Sequence, residues 1–395
     1  MLPPSTRLFE QAMLYFDANA TTPLHPEARE AWLRTTEMLW QNPGAPTAPG
    51  ARAHAFLEQC RKSLLEKIAA TGLTKVVFTS GATEANNAVI ASEAQRSPHL
   101  AIVSAVEHAS VLEPARQCFG ARLRLLPVDG SGVVCLDTLK TLLAPGDVAL
   151  VCVMAVNNET GVIQPMAQVR ELTMRHGARL LCDATQWFGK MPVSALSPCD
   201  FLVGSAHKFG GTKGVGFLAL DSPNFSAQRG GRQEDGIRAG TENLPGIAAM
   251  LAALDVAENF ATAHTEAAKG RELFEAKILH HLPGTRIHGQ NASRVWNTAL
   301  VSMPAHGNLR WLKRLERHGF TVSTGSACSA ASGKLSHVLA AMGCDDTMAR
   351  RALRISALPN TPPETWLALA QALEKVSREL GHGGTGDFTH AIQEP

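Results

Sequence analysis

The segment GSAHKFGGTKG, residues 204–214, sets Lys208 between two apolar runs, DFLVG at 200–204 and VGFLAL at 215–220. Runs so rich in Val, Phe and Leu predict two buried strands with the lysine on the loop between them. Lysines mostly occupy solvated faces, because an ammonium group is costly to bury. Here Ser205, His207 and Lys208 crowd three polar side chains into four positions at a strand end, the place where open α/β sheets bind ligands. A lysine held there can lose its proton and form a Schiff base with a carbonyl compound.

If the carbonyl compound is pyridoxal phosphate, the chain must also offer a carboxylate for the pyridine nitrogen, an anion cradle for the phosphate and a ring to stack on the cofactor. Residues 75–90, KVVFTSGATEANNAVI, read as a strand, a small-residue turn at Ser80 to Thr83 and a helix. The free NH groups of such a helix start bind phosphate, which makes Ala82 and Thr83 candidates. The same turn also suits an ordinary junction capped by Ser80 or Thr83. The apolar run Leu100 to Ala105 ends in VEHASV, placing His108 at a helix entrance, as a cap or as a ring that stacks on a cofactor and moves protons. A strand at Val148 to Val156 runs into NNETG, where Asn157 and Asn158 are turn formers or amides for a cofactor or substrate oxygen. ARLLCDATQ, 178–186, closes on Asp183, either a helix N-cap or the carboxylate that strengthens the cofactor as an electron sink. Gln186 lies three residues on, close enough to address the ring oxygen. Strands separated by helical patterns from about 75 to 220 imply a mainly parallel sheet covered by helices. Such a sheet brings Ala82, His108, Asn158, Asp183 and Lys208 to one edge.

The remaining elements must carry that edge. LYFDANATTPLHPEA, 14–28, predicts a loop and then a helix to about Trp40, while Asn42 to Gly50 is too rich in Pro and Gly for regular structure. After the glycine-rich GGRQEDGIRAGTEN at 230–243, Pro245 starts a long alanine-rich helical stretch to about His281. Strands near Val295 to Met303, a helix at 308–318 and a helix at 362–380 form a smaller α+β unit, and the tail GHGGTGDFTHAIQEP has the composition of a mobile end. In TVSTGSACSAASGKLSHVL, 321–339, Cys328 sits in a loop of Gly, Ser and Ala that buries little apolar area, so its thiol can be exposed and can travel.

With 395 residues, 45% of them hydrophobic and 18% charged, the chain can bury a large core and divide into two domains. No apolar run approaches the roughly 20 residues of a membrane-spanning helix. MLPPSTRLFEQ lacks the basic start and apolar centre of a leader, so a cytoplasmic setting is expected. A net charge of +2 gives no reason to expect nucleic acid or an anionic membrane as partner. Arg310 to His318 reads as a solvated basic face. None of the eight cysteines pairs in CxxC spacing, which leaves zinc and thioredoxin-like sites without support.

FDANATTPLHP, FTSGATEANN, VEHASV, VNNETGVIQP, CDATQ, SAHK, RAGTEN, STGSACSA and LRIS follow one another over roughly residues 14–360. In this order and spacing they resemble the pyridoxal phosphate enzymes of aminotransferase class V and, within them, the cysteine desulfurases of the NifS and IscS type. The resemblance implies the type I α/β fold of such transferases. Its large domain, 15–260, has a mainly parallel seven-stranded sheet, and its smaller α+β domain comprises 1–14 and 261–395. It further implies that Lys208 anchors the cofactor and moves the Cα proton, that His108 stacks on the ring as acid or base, that Asp183 pairs with the pyridine nitrogen and that Gln186 contacts the ring oxygen. Ala82, Thr83, Ser205 and His207 would hold the phosphate, with Thr241 serving the other subunit of a homodimer. Asn158 and Arg354 would bind the substrate carboxylate, a task suited to a bidentate guanidinium. Cys328 would take sulfur from L-cysteine as a persulfide, leave L-alanine, and pass the sulfur to an acceptor protein. The sequence departs from the family at Gly210 and Thr212, where an aromatic residue and Pro are usual, and at Arg232 and Asp235, where Gly and Arg are usual. A selenocysteine lyase, another class V aminotransferase or lyase, and a catalytically weakened interaction protein are the rival readings.

Overall fold

Among the described residues, apolar runs that alternate with helices give twelve strands: β1 (Leu14–Tyr15), β2 (Lys75–Thr79), β3 (Leu100–Ser104), β4 (Leu123–Leu126), β5 (Val148–Cys152), β6 (Arg179–Asp183), β7 (Phe201–Ser205), β8 (Gly216–Leu220), β9 (Arg286–His288), β10 (Thr298–Ser302), β11 (Phe320–Thr321) and β12 (Ala352–Ser356). The computed structural model describes residues 13–221, 227–261, 264–325 and 335–382. Strands β2 to β8 form one seven-stranded sheet in the order β2-β8-β7-β6-β5-β3-β4. Pairing is parallel from β7 through β6, β5 and β3 to β4, and β8 runs antiparallel to both β7 and β2. Every residue of β5, β7 and β8 is buried, as expected for strands covered on both faces.

Because β8 alone is reversed, the carboxyl ends of β2, β3, β5, β6 and β7 open on the same edge. The tight β7–β8 connection carries Lys208. Helices on both faces close two apolar clusters around the sheet, one including Leu57, Phe188 and Phe217 and the other Val89, Leu112 and Phe201. A second sheet, antiparallel in the order β12-β10-β9, packs with Phe16, Phe274, Trp311 and Trp366 into a separate core. The helix Asn308–Arg317 buries Trp311 and Leu315, four residues apart, and leaves Arg310, Lys313 and Arg317 exposed. That is the solvated basic face expected from its sequence. Among the described residues no helix is long and apolar enough to cross a membrane.

Several local expectations need correction. Residues 42–50 are not wholly irregular: the Thr47 side chain accepts from Gly50 N at 3.2 Å and caps a helix, Ala48–Lys67. Pro49 fits its first turn, where an absent NH forfeits no helical bond. The alanine-rich stretch is two helices, Leu244–Ala261 and His264–His281, and the helix expected to reach Trp40 ends at Met38. Strands β4 and β9 had no clear signal, since LRLL exposes two of its four residues and RIH is only three residues long.

Candidate active site

The common strand edge borders a cleft of about 590 Å³. Ala82, Thr83, Ser205, His207, Lys208, His108, Asp183, Gln186, Asn158 and Arg354 all line it. Thr241 does not. It lies in a separate depression beside Trp40 and Asn42. Cys328 belongs to 326–334 and lies outside the described residues.

Lys208 sits on the short 3-10 turn after β7, and its Nζ donates to the carbonyls of Asn19 and Ala20, each at 2.8 Å. The helix Ala82–Arg96 starts after Gly81, with no side-chain cap on its first NH groups. Gly81 has φ +153°, and a Cβ on Gly216 would lie 2.6 Å from the Gly81 Cα, so the turn lies flat on β8. The result is a bare helix N-terminus open to the cleft, and its partial positive charge suits an anion. Ser205 and His207 flank it. Burial, with Lys208 and Lys213 nearby, pushes His207 down to about 4, leaving a neutral ring whose Nδ1 lies 3.1 Å from Thr21 Oγ1. The glycine-rich loop reaches the same turn through Arg238, whose Nε donates to Glu84 Oε1 at 2.8 Å. In that loop Asp235 pairs with Lys75 at 2.9 Å, and Glu234 with Arg61 at 2.7 Å, while both acidic residues hold φ near +50°.

Across the cleft, Asp183 at the end of β6 is buried and accepts from Thr185 N at 2.9 Å and from Asn86 Nδ2 at 2.8 Å. The same Asn86 nitrogen donates to Ser110 Oγ at 3.1 Å, and Ser110 Oγ lies 2.9 Å from His108 Nδ1. His108 Nδ1 also accepts from Ser110 N at 3.1 Å, so the ring proton belongs on Nε2. Burial lowers the His108 pKa against the opposing pull of Asp183, and Lys208, His337 and Arg354 lower it further. The ring is thus a neutral imidazole. Its neighbour Glu107 is fully enclosed; burial first and then Asp183 push it well above the carboxylate range, against a bond from Met154 N at 2.6 Å.

Arg354, on β12, brings a guanidinium from the second sheet. Its Nη2 donates to Asp17 Oδ1 at 2.7 Å and its Nη1 to Asn158 O at 3.3 Å, while the buried Nε has no partner. The structure also separates the two asparagines of NNETG. Asn157 is a buried turn former, its Oδ1 accepting from Glu159 N and Thr160 N at 3.0 and 2.9 Å, and Asn158 faces the cleft. Gln186 donates from Nε2 to Asn19 O at 3.0 Å and accepts from Lys190 Nζ.

Asp17, Asn19, Asn86, Ser110, Glu107 and Lys190 thus support the site without having been assigned to it from sequence. The one available signal was the run of Asp17, Asn19, Thr21 and Thr22 in DANATT, where an apolar stretch breaks off. The donor set fits pyridoxal phosphate: an uncapped helix start for the phosphate, a buried hydrogen-bonded carboxylate for a protonated ring nitrogen, a neutral imidazole and an amine, all lining one cleft. Among the described residues no three His, Cys, Asp or Glu side chains cluster as a metal site.

The family model for aminotransferase class-V matches residues 14–364. A cysteine desulfurase of Cereibacter sphaeroides is 37% identical over 351 residues, covering 87% of this chain and 90% of its own. One from Sinorhizobium fredii is 36% identical over 352 residues, covering 87% and 91%. Among solved structures a NifS-like protein matches with a TM-score of 0.82 at 30% identity, covering 93% of this chain and 100% of its own.

Proposed function

We infer, from the premise that this chain belongs to the aminotransferase class-V family, that it is a pyridoxal 5'-phosphate-dependent cysteine desulfurase of type I fold. It converts L-cysteine to L-alanine and takes the sulfur onto Cys328 as a persulfide for an acceptor protein. The observation that carries this reading is that Lys208, Asp183 and Arg354, remote in sequence, line one cleft. Bound there, the cofactor supplies an electron sink that acidifies the Cα–H of an amino acid.

The chain's own groups divide the remaining work. The NH groups of Ala82 and Thr83, with Ser205 and His207, hold the phosphate. Asp183 is oriented for the ring nitrogen by Asn86 and Thr185, which donate to its two oxygens. His108 would stack on the cofactor ring with its proton on Nε2, and Lys208 Nζ, aligned by two carbonyls, is the base for the Cα proton. Arg354, steadied by Asp17, offers its remaining NH groups to the substrate carboxylate beside Asn158.

Two further points belong to this reading. Thr241 completes the phosphate site of a partner copy in a homodimer. Its exposed position beside Trp40, which is 73% exposed, and near Met38, 63% exposed, supports such a face. The chain divides into a large cofactor-binding unit, 15–260, and a smaller one formed by 1–14 and 261–395; Phe16, just inside the first range, packs in the core of the second.

The test is alanine release from L-cysteine by purified, cofactor-loaded protein, with Cys328→Ala assayed beside it in the same reductant. Alanine from the parent alone is expected. Equal rates from both would remove Cys328 as nucleophile, and no alanine from either would refute the desulfurase reading.

A further inference from the structure

We propose that Lys190 is a positioning residue that fixes which end of the Gln186 amide faces the cleft, keeping its nitrogen there as a donor to the anionic ring oxygen of the cofactor. This rests on the cofactor reading above and deepens it. Lys190 follows Gln186 by four residues, and both side chains are buried, with 4% of each residue exposed. The backbone of Lys190 is held on both sides: its N donates to Trp187 O and its carbonyl accepts from Trp296 Nε1, each at 3.0 Å. Gly189 before it has φ +75°, and a Cβ there would come 2.8 Å from Phe209 Cβ, so the chain enters Lys190 in one direction.

Lys190 Nζ donates to Gln186 Oε1, while Gln186 Nε2 donates to Asn19 O at 3.0 Å. Reversing the amide would set its oxygen against the Asn19 carbonyl and its nitrogen against the lysine's hydrogens. The two partners therefore select one orientation, and the second hydrogen on Nε2 is left for the cleft that Gln186 lines. Asn19 O accepts from Lys208 Nζ as well, so one carbonyl sets both the anchoring amine and the amide. An amine is an expensive way to fill a core. A side chain kept at that cost, with its one side-chain bond to the amide of Gln186, is explained by the amide it orients.

The experiment is a pH titration of the visible absorbance of the bound cofactor in the parent holoenzyme, Lys190→Met, Gln186→Leu and the double variant. A donor at the ring oxygen stabilises that oxygen's negative charge most once the neighbouring proton has left, so its loss raises the midpoint. Each single variant is expected to raise it by about one pH unit, the worth of one hydrogen bond to a charged group. The double variant is expected to rise no further than either single, because both act through one bond. Should Lys190→Met not fold, Lys190→Ala gives the same readout. A Lys190 variant with the parental midpoint beside a shifted Gln186→Leu overturns the proposal, and so does Gln186→Leu with the parental midpoint. A parent protein with no visible band would instead refute the cofactor reading itself.

Discussion

Replacing Asn86 with Leu should cost much activity and little stability. Asn86 is fully buried, and its amide nitrogen donates to both Asp183 Oδ2 and Ser110 Oγ, at 2.8 and 3.1 Å. Its Oδ1 is buried with no partner. A hydrogen bond to a charged group contributes roughly 1.5–3 kcal/mol and one to a neutral hydroxyl about 1, whereas a buried unsatisfied acceptor costs roughly 1–3. Leu removes all three, so the losses and the relief largely offset, and the net destabilisation is on the order of 0–3 kcal/mol. At about 2 cal/mol/K per residue for a chain of 395 residues, each kcal/mol shifts the melting temperature by only about 1 °C. Function has no such offset. Asp183 keeps only its bond from Thr185 N, and His108 loses the hydroxyl bridge that ties it to the same network. If the Asp183 charge is required in the rate-limiting step, the loss of one charge-assisted bond lowers kcat/KM by roughly 10- to 150-fold. The assay pairs thermal melts of the loaded protein with L-alanine release across a range of L-cysteine concentrations. Parental kcat/KM with a similar melting temperature would refute the argument that the asparagine is retained for Asp183.

Lys208→Ala should abolish turnover and the visible band of the bound cofactor together; parental rates would remove it as the base. Arg354→Gln is expected to raise KM for L-cysteine more than it lowers kcat, because a carboxylate contact is present before and during reaction. It should also destabilise the fold, since Asp17 loses its 2.7 Å partner; an unchanged KM would place the substrate carboxylate elsewhere. Stability should fall on mild acidification. His288, 2% exposed, has its pKa pushed down by burial and by Arg286 to about 4 from the ordinary 6.5. Between those values the unfolded chain binds the proton that the folded chain refuses. The stability is therefore complete above pH 6.5 and is lost as pH falls towards 4, by about 3 kcal/mol on the order of 1.4 per unit. Denaturant midpoints at pH 7, 5.5 and 4.5 measure this, and His288→Asn should flatten the decline; equal slopes for both proteins would refute it.

What the sequence made legible were features whose signal is local. A polar residue just after an apolar run marks the end of a strand, and His108, Asn158, Asp183 and Lys208 carry that mark, while Ala82 was marked by the small-residue turn that opens its helix. All five meet at one edge because the strands that deliver them are parallel. Arg354 could be named only through the resemblance, since within LRIS it looks like any arginine on a strand. Apart from Asp17 and Asn19 in the DANATT segment, the supporting residues had no local mark. Asp17 meets Arg354 across 337 positions and Asn19 meets Lys208 across 189. Lys190 reads as an ordinary surface lysine until Trp187, Trp296 and Phe209 close around it. The helix Ala48–Lys67 was hidden at its start because Pro49 and Gly50 are tolerated in a first turn that Thr47 caps.

The position of the amine relative to the guanidinium follows from the first described segment more than from either core alone. Phe16 is fixed in the second core against Trp366, their ring centroids 5.1 Å apart at 72°. Immediately after it, Asp17 holds Arg354, and the carbonyls of Asn19 and Ala20 hold Lys208. Asn19 is itself tied to the second sheet and its flank: its N donates to Ser356 Oγ at 3.0 Å, its Nδ2 to Thr298 Oγ1 at 2.9 Å, and its Oδ1 accepts from Asn297 Nδ2 at 3.2 Å. With donor and acceptor capacity used on one side chain, the turn cannot rotate without breaking several buried bonds at once. Four consecutive residues, 17–20, therefore set the separation between the Lys208 amine and the Arg354 guanidinium. A shift of the second sheet against the first would move Arg354 and the carbonyls of Asn19 and Ala20 together, and it would strain their bonds to the Lys208 amine, whose backbone stays with Asp183 on the first sheet.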